Sequence, residues 1–162
     1  IIYLPTGTGK TFVAIEIVHR LMSKAADTSG SKTRKDLAIF LVDRTTLVFQ
    51  QADAFDEQYE PTIPNMKNCG KYVGNMNRFN GKWNLEFATH EVMCFTAGLF
   101  RNLLENNIIS LQDVTVLVFD EAHHVRKTKG ESLHDFNTIM KDFYFTLPVQ
   151  NRPRIIAMTA KS

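Results

Sequence analysis

Apolar residues fall in two rhythms along this chain. Short, nearly unbroken runs such as AIFLV at 38–42, VTVLVF at 114–119 and RIIAM at 154–158 lack regular polar alternation, as strands covered on both faces should. Between such runs the apolar positions recur three apart: Phe12, Ile15, Val18 and Leu21 would share one side of a helix. Alternating strand-length and helix-length segments predict an α/β fold, a mostly parallel sheet with helices on both faces. The expected strands span 1–4, 37–43, 66–72, 91–95, 114–119 and 154–158. The expected helices span 10–23, 45–58, 97–106 and 132–145, with Trp83 and Phe87, four residues apart, pinning a further short helix to the sheet. Polar stretches punctuated by Gly and Ser, 25–36 and 74–81, read as exposed loops.

Composition adds limits rather than direction. The 162 residues suit one domain with a true core, 44% hydrophobic and 22% charged. A net charge of +2 permits a nucleic-acid partner without arguing for one, since a local basic stripe matters more than the total. Cys69 and Cys94 fit neither a disulfide framework nor a zinc pattern, so a reducing, cytoplasmic setting is expected. No apolar run is long enough to span a bilayer, and no membrane partner is expected. The chain opens on an apolar strand without Met and stops just after another, so it reads as a piece of something larger.

Chemistry enters at LPTGTGKT, from Leu4 to Thr11. Gly7 and Gly9 bracket Thr8 between an apolar strand and a helix, the context in which a phosphate-binding loop is credible. A loop that wraps phosphate aims successive backbone N–H groups inward with no side chain in the way, and the following helix adds its N-terminal partial charge. Thr6, Gly7, Thr8, Gly9, Lys10 and Thr11 would cradle the nucleotide, Lys10 reaching the β- and γ-phosphates and the Thr11 hydroxyl holding magnesium. Leu4 stands where the usual pattern has its first glycine.

A second motif follows the strand at 114–119. Asp120 and Glu121 come at once after it, in VTVLVFDEAHHV, and open parallel sheets gather ligands at the carboxyl ends of their strands. Asp120 suits magnesium, and Glu121 suits orienting and deprotonating the water that attacks the γ-phosphate. A lone Asp-Glu pair would be an ordinary solvated helix start; paired with the loop it points to a nucleoside triphosphatase using ATP and Mg2+. His123 and His124 are adjacent, share no helix face and lack a nearby cysteine, which argues against structural metal.

PTGTGKT with DEAH resembles the first RecA-like lobe of superfamily 2 helicases, a P-loop NTPase fold whose phosphate loop often lacks the leading glycine. FLVDRTTLVFQQ, WNLEFATHEV, FTAGLF, LVFDEAHH and RIIAMTA follow in order. That series is similar to the helicase module of Dicer ribonucleases, and next to the cytosolic viral-RNA-sensing helicases, over essentially the whole chain. The resemblance implies that residues 1–162 are a helicase ATP-binding domain, lacking an upstream adenine-reading segment and the second RecA-like lobe that supplies an arginine finger. It implies that His123, Thr159 and Ala160 couple hydrolysis to lobe movement, and that Arg44, Gln50 and Thr96 contact RNA, expected to be double-stranded, through its backbone. The sequence departs from the family at three places. DEAH replaces DECH; Asp43-Arg44 replaces a small hydroxyl residue; Lys161 stands where the third motif has Ser or Thr.

Gly70, Lys71 and Arg101 are weaker contact candidates, and for Lys71 and Arg101 the plain solvated reading is favoured. The basic runs at 31–35 and 126–129 read as solvated, and Phe136, Phe143, Tyr144 and Phe145 as packing residues. Two other functions stay open beside an RNA-stimulated ATP hydrolase: a nucleotide-latched RNA-binding module with little hydrolysis, and a DNA-directed translocase of the same superfamily. A metabolite kinase lacks an acceptor site or lid.

Overall fold

The computed structural model describes residues 1–3, 9–28, 36–62, 66, 69–74, 82–122 and 135–159. Its strands are β1 (Ile2–Tyr3), β2 (Leu37–Val42), β3 (Gly70–Tyr72), β4 (Val92–Thr96), β5 (Val114–Phe119) and β6 (Arg154–Thr159). The principal helices are α1 (Lys10–Thr28), α2 (Thr45–Gln58), α3 (Trp83–Thr89), α4 (Ala97–Glu105) and α5 (Asp135–Thr138). All six strands form one sheet in the order β1-β6-β5-β2-β4-β3, and every neighbouring pair is parallel. The fold is α/β, a parallel sheet with helices on both faces, as the sequence predicted.

β2 shows why its sequence carries no alternation. All six of its residues are buried, but they divide between the two faces. Leu37, Ile39 and Leu41 join Trp83, Phe87, Phe100 and Phe136 on one side, with α3, α4 and α5. Ala38, Phe40 and Val42 join Ile15, Val18, Val48 and Phe55 on the other, with α1 and α2. Each face needs an apolar residue at every second position, so together they demand one at every position. The predicted helical stripe of α1 holds for Ile15 and Val18, both buried, whereas Phe12 is exposed at the helix start.

The short helix α3 is held as its aromatic spacing suggested. Trp83 and Phe87 are buried, stack on each other at 5.8 Å, and Trp83 meets Tyr72 at 5.5 Å. Tyr72 in turn stacks on Phe95 at 4.7 Å and donates its hydroxyl to Glu86 Oε2 at 2.6 Å. An ion pair between Arg101 and Asp135 ties α4 to α5.

Several expected boundaries are corrected. α1 continues through Thr28, taking residues 25–28 from the expected loop, because Ala25-Ala26 favour helix and the first breaker is Gly30. Of the strand expected over 66–72, Gly70–Tyr72 forms β3, while Met66 and Cys69 lie outside it and 67–68 are outside the described residues; β4 is shifted one residue, Glu91 preceding it. Within 132–145 the described part is four residues of α-helix followed by a π turn over Ile139–Tyr144. There the Phe145 N–H bonds to the Met140 carbonyl, five residues back, at 3.0 Å, a spacing that apolar periodicity does not distinguish over so short a run. Phe145 itself is 60% exposed, not core, with the Arg152 guanidinium 5.6 Å from its ring centre.

Candidate functional site

Because every strand runs the same way, the carboxyl ends of β1, β6, β5, β2 and β4 lie along one edge of the sheet. The strand ends therefore gather the residues that follow them: Lys10 by way of β1, Thr159 on β6, Asp120 after β5, Arg44 after β2 and Thr96 on β4. β6 lies between the strand leading to the phosphate loop and the strand leading to the acidic pair.

The loop enters α1 through Gly9, whose φ is +85°, a conformation strained for any residue with a side chain. The first turn closes with the Val13 N–H on the Gly9 carbonyl at 3.1 Å. Lys10 and Thr11 then stand on the opening turn of a nineteen-residue helix. Thr6, Gly7 and Thr8 lie outside the described residues, as do His123, Ala160 and Lys161.

Asp120 is 5% exposed, seated by its backbone N–H on the Leu41 carbonyl of β2 at 2.9 Å. Its Oδ1 accepts the Glu121 backbone N–H, and its Oδ2 accepts Nε2 of Gln51, each at 3.0 Å. The same Gln51 side chain accepts, on Oε1, the hydroxyl proton of Thr11 at 3.0 Å. One amide thus joins Thr11 at the start of α1 to Asp120 just after β5, 109 positions apart in a 162-residue chain. Burial above all, and then the Glu121 charge, raises the Asp120 pKa from 3.8 to about 6. Asp43 adds to the rise, while the Glu121 N–H and the nearby Lys10 ammonium oppose it. Lys10 is thereby placed within electrostatic reach of Asp120.

Glu121 sits at φ +51°, a left-handed conformation that disfavours a Cβ by about 1 kcal/mol. Such local strain collects where a side chain must be aimed rather than merely packed. It turns the chain sharply out of β5, so that neighbouring carboxylates take different places: Asp120 buried, Glu121 half-exposed.

The donor set can be tested against a magnesium–nucleotide. Among the described residues no cluster of three or more His, Cys, Asp or Glu is placed to hold a metal by itself. A buried carboxylate beside a threonine hydroxyl, with a lysine close by, provides only a pair of oxygen donors. Mg2+ commonly takes one or two protein oxygens and fills its shell from phosphates and water, so this set fits it. Negative charge held at Asp120 against a burial cost fits a cation partner equally.

The remaining residues divide clearly. Arg44 is exposed, its side chain 75% accessible and 4.0 Å from Asp43. Thr96 is half-buried at the start of α4 and paired in register with Val42, so Arg44 and Thr96 belong to adjacent strand ends. Gln50 is exposed on α2, away from the Thr11–Asp120 bridge. Lys71 bonds to Asp53 at 2.6 Å and Asp56 at 3.3 Å, and Arg101 to Asp135 and Glu105, so both are taken up by neighbours. Gly70 is buried in β3. Gln51 is the residue that motif reading passed over. Its signal was available: Val48, Gln51, Ala52 and Phe55 are the buried side of α2, and one of the four is polar.

Comparison with known proteins identifies the family. The family model for the type III restriction enzyme res subunit, ResIII, matches residues 1–161. Endoribonuclease Dicer homolog 1 of Arabidopsis thaliana is 33% identical over 99% of this chain, which spans 8% of that protein. Dicer-like protein 1 of Aspergillus terreus is 33% identical over 97% of the chain and 10% of the relative. The chain thus spans about a tenth of the length of these relatives. The Hef helicase domain of Pyrococcus furiosus superposes with a TM-score of 0.70 at 24% identity, covering 98% of this chain and 29% of that one; it supports the fold. The chain belongs to the ResIII family and is a superfamily 2 helicase N-terminal lobe homologous to the helicase domains of Dicer proteins.

Proposed function

We propose that this chain is the ATP-binding lobe of an ATP-dependent RNA helicase or translocase, in a Dicer-like double-stranded-RNA endoribonuclease acting in RNA interference. The observation that carries the reading is the Gln51 bridge, which brings Thr11 and Asp120 to one place. In this reading Thr6 to Thr11 hold the triphosphate, and Lys10 neutralises charge on its β- and γ-oxygens. Thr11 and Asp120 hold the cation, and Glu121 takes the proton of the attacking water. Mg2+, when bound, supplies the charge that offsets the developing negative oxygens. His123, Thr159 and Ala160 relay the nucleotide state to a second RecA-like lobe of the same polypeptide, whose arginine completes the site. Arg44, Gln50 and Thr96 meet the sugar–phosphate backbone, giving little sequence preference. The relatives named as Dicer proteins favour RNA over DNA, and a cytoplasmic setting accords with two free thiols.

The test is RNA-stimulated ATP turnover in the longer protein. Glu121→Gln should lower it by about 100-fold or more, the usual contribution of a general base, while nucleotide still binds. Undiminished turnover would show that Glu121 is not the base. The Asp43-Arg44 pair, in place of a small hydroxyl residue, supports a second reading, a nucleotide-latched RNA-sensing module. RNA affinity that ignores ATP and survives Lys10→Ala would select it.

A further inference from the structure

The Gln51 amide is oriented by its two partners. Its oxygen faces a hydroxyl that donates, and its nitrogen faces a carboxylate that only accepts. Reversing the amide would set nitrogen against the Thr11 hydroxyl and oxygen against an ionised oxygen of Asp120, losing the second bond outright. The arrangement also decides where the Thr11 hydroxyl points. With its proton committed to Gln51 Oε1, both lone pairs of Thr11 Oγ1 remain for another partner. On Asp120, Gln51 fixes Oδ2 while the Glu121 N–H fixes Oδ1, so the carboxylate plane is held at both oxygens.

Gln51 is 7% exposed on the buried side of α2, between Val48 and Ala52 that are wholly buried. A long polar side chain in that company is unfavourable unless its amide is satisfied, and here both ends are. We propose that Gln51 is a positioning residue for the divalent cation of the nucleotide site. It holds the hydroxyl of the phosphate loop and the carboxylate of the acidic turn in one mutual arrangement, on an element that belongs to neither motif. The assignment rests on the nucleotide-site reading above. It extends that reading by giving α2 a role in the metal's affinity, separate from any contact with RNA. Groups that orient metal ligands typically change metal affinity by about 10- to 100-fold when removed.

The experiment is titration of the chain with a fluorescent N-methylanthraniloyl ATP, in Mg2+ and again in EDTA. Gln51→Met keeps the side-chain length and removes both hydrogen bonds; Gln51→Asn keeps the amide but is one methylene too short to reach both partners. Each should lower the Mg2+-dependent gain in affinity at least 10-fold, leaving affinity in EDTA within about 2-fold. Exposed Gln58→Met, at the far end of α2, should change neither. A structural role alone would lower both affinities together or only the melting temperature, and that result overturns the proposal. So does a Mg2+ gain retained by Gln51→Asn, which keeps the test open if Gln51→Met fails to fold. A wild-type chain that binds the nucleotide equally well with and without Mg2+ refutes the metal-site reading itself. That outcome is distinct from a wild-type Mg2+ gain which the variants keep, which refutes Gln51 alone.

Discussion

Asp120 is ionised in a place that resists ionisation, so Asp120→Asn should stabilise the nucleotide-free chain at neutral pH. Its pKa rises from 3.8 to about 6, through burial first and the Glu121 charge second. The folded state therefore keeps a proton that the unfolded chain releases between those two values. Stability from this group is fully present below pH 3.8 and is lost as pH rises through 6. Two units at 1.36 kcal/mol each set the loss at about 3 kcal/mol above pH 7. Asparagine escapes that loss but offers one acceptor where the carboxylate offered two, to Gln51 and to the Glu121 N–H. An unsatisfied buried donor costs about 1–2 kcal/mol. The expected net gain at pH 8 is therefore about 1–2 kcal/mol, or a melting temperature raised by about 2–6 °C for a domain of this size. Near pH 4 the advantage shrinks toward zero, because the wild-type side chain is then neutral and, like asparagine, offers a single carbonyl acceptor. Thermal melts followed by the fluorescence of Trp83, the chain's single tryptophan, at pH 4, 6 and 8 test this. A stability difference that stays constant across the three pH values refutes the reasoning, as does a variant weaker than wild type at pH 8. Adding Mg2+ and ATP should then restore the advantage of wild type, since bound ligand stabilises only the form that binds it.

Three further outcomes are expected. Phe40→Ala removes a wholly buried ring on the central strand β2, in edge contact with Phe55 at 5.5 Å; urea unfolding should show a loss of about 3–5 kcal/mol, and a loss under 1 kcal/mol would mean the site collapses freely. Cys94 is buried, and burial with the neighbouring Cys69 thiol 3.4 Å away pushes its pKa up; iodoacetamide at pH 8 should alkylate Cys69 first, with Cys94 reacting only as the fold opens. The chain alone should hydrolyse ATP negligibly and bind it weakly, because the proposed arginine and adenine contacts come from elsewhere; brisk turnover by these 162 residues would overturn that.

What the sequence disclosed depended on how directly a pattern maps onto physics. β5 and α2 fall on their expected limits, Val114–Phe119 and Thr45–Gln58, because an apolar run bounded by polar residues has one economical solution. Of the strand expected over 66–72, only Lys71 and its two neighbours pair with β4 among the described residues, Met66 and Cys69 falling outside β3. The extension of α1 followed local propensity over a loop-like composition. Lys10, Thr11, Asp120 and Glu121 were singled out by motif, since the chemistry proposed for them dictates the residue type. Gln51 was not, because its face of α2 can be read from the spacing but its role depends on what two other elements bring to it. Lys71 and Arg101 were read as ordinary surface; their carboxylate neighbours supply the reason.

The strand order carries one more implication. β6 is wedged between the strands that serve the phosphate loop and the acidic turn, touching β1 through Thr159 and β5 through Ala157. The strand ends that lead to Lys10 and to Asp120 are thus set apart by the width of a single strand. Side chains of β6 project to the faces of the sheet, so backbone pairing alone fixes that spacing, whatever residue stands at Ala157.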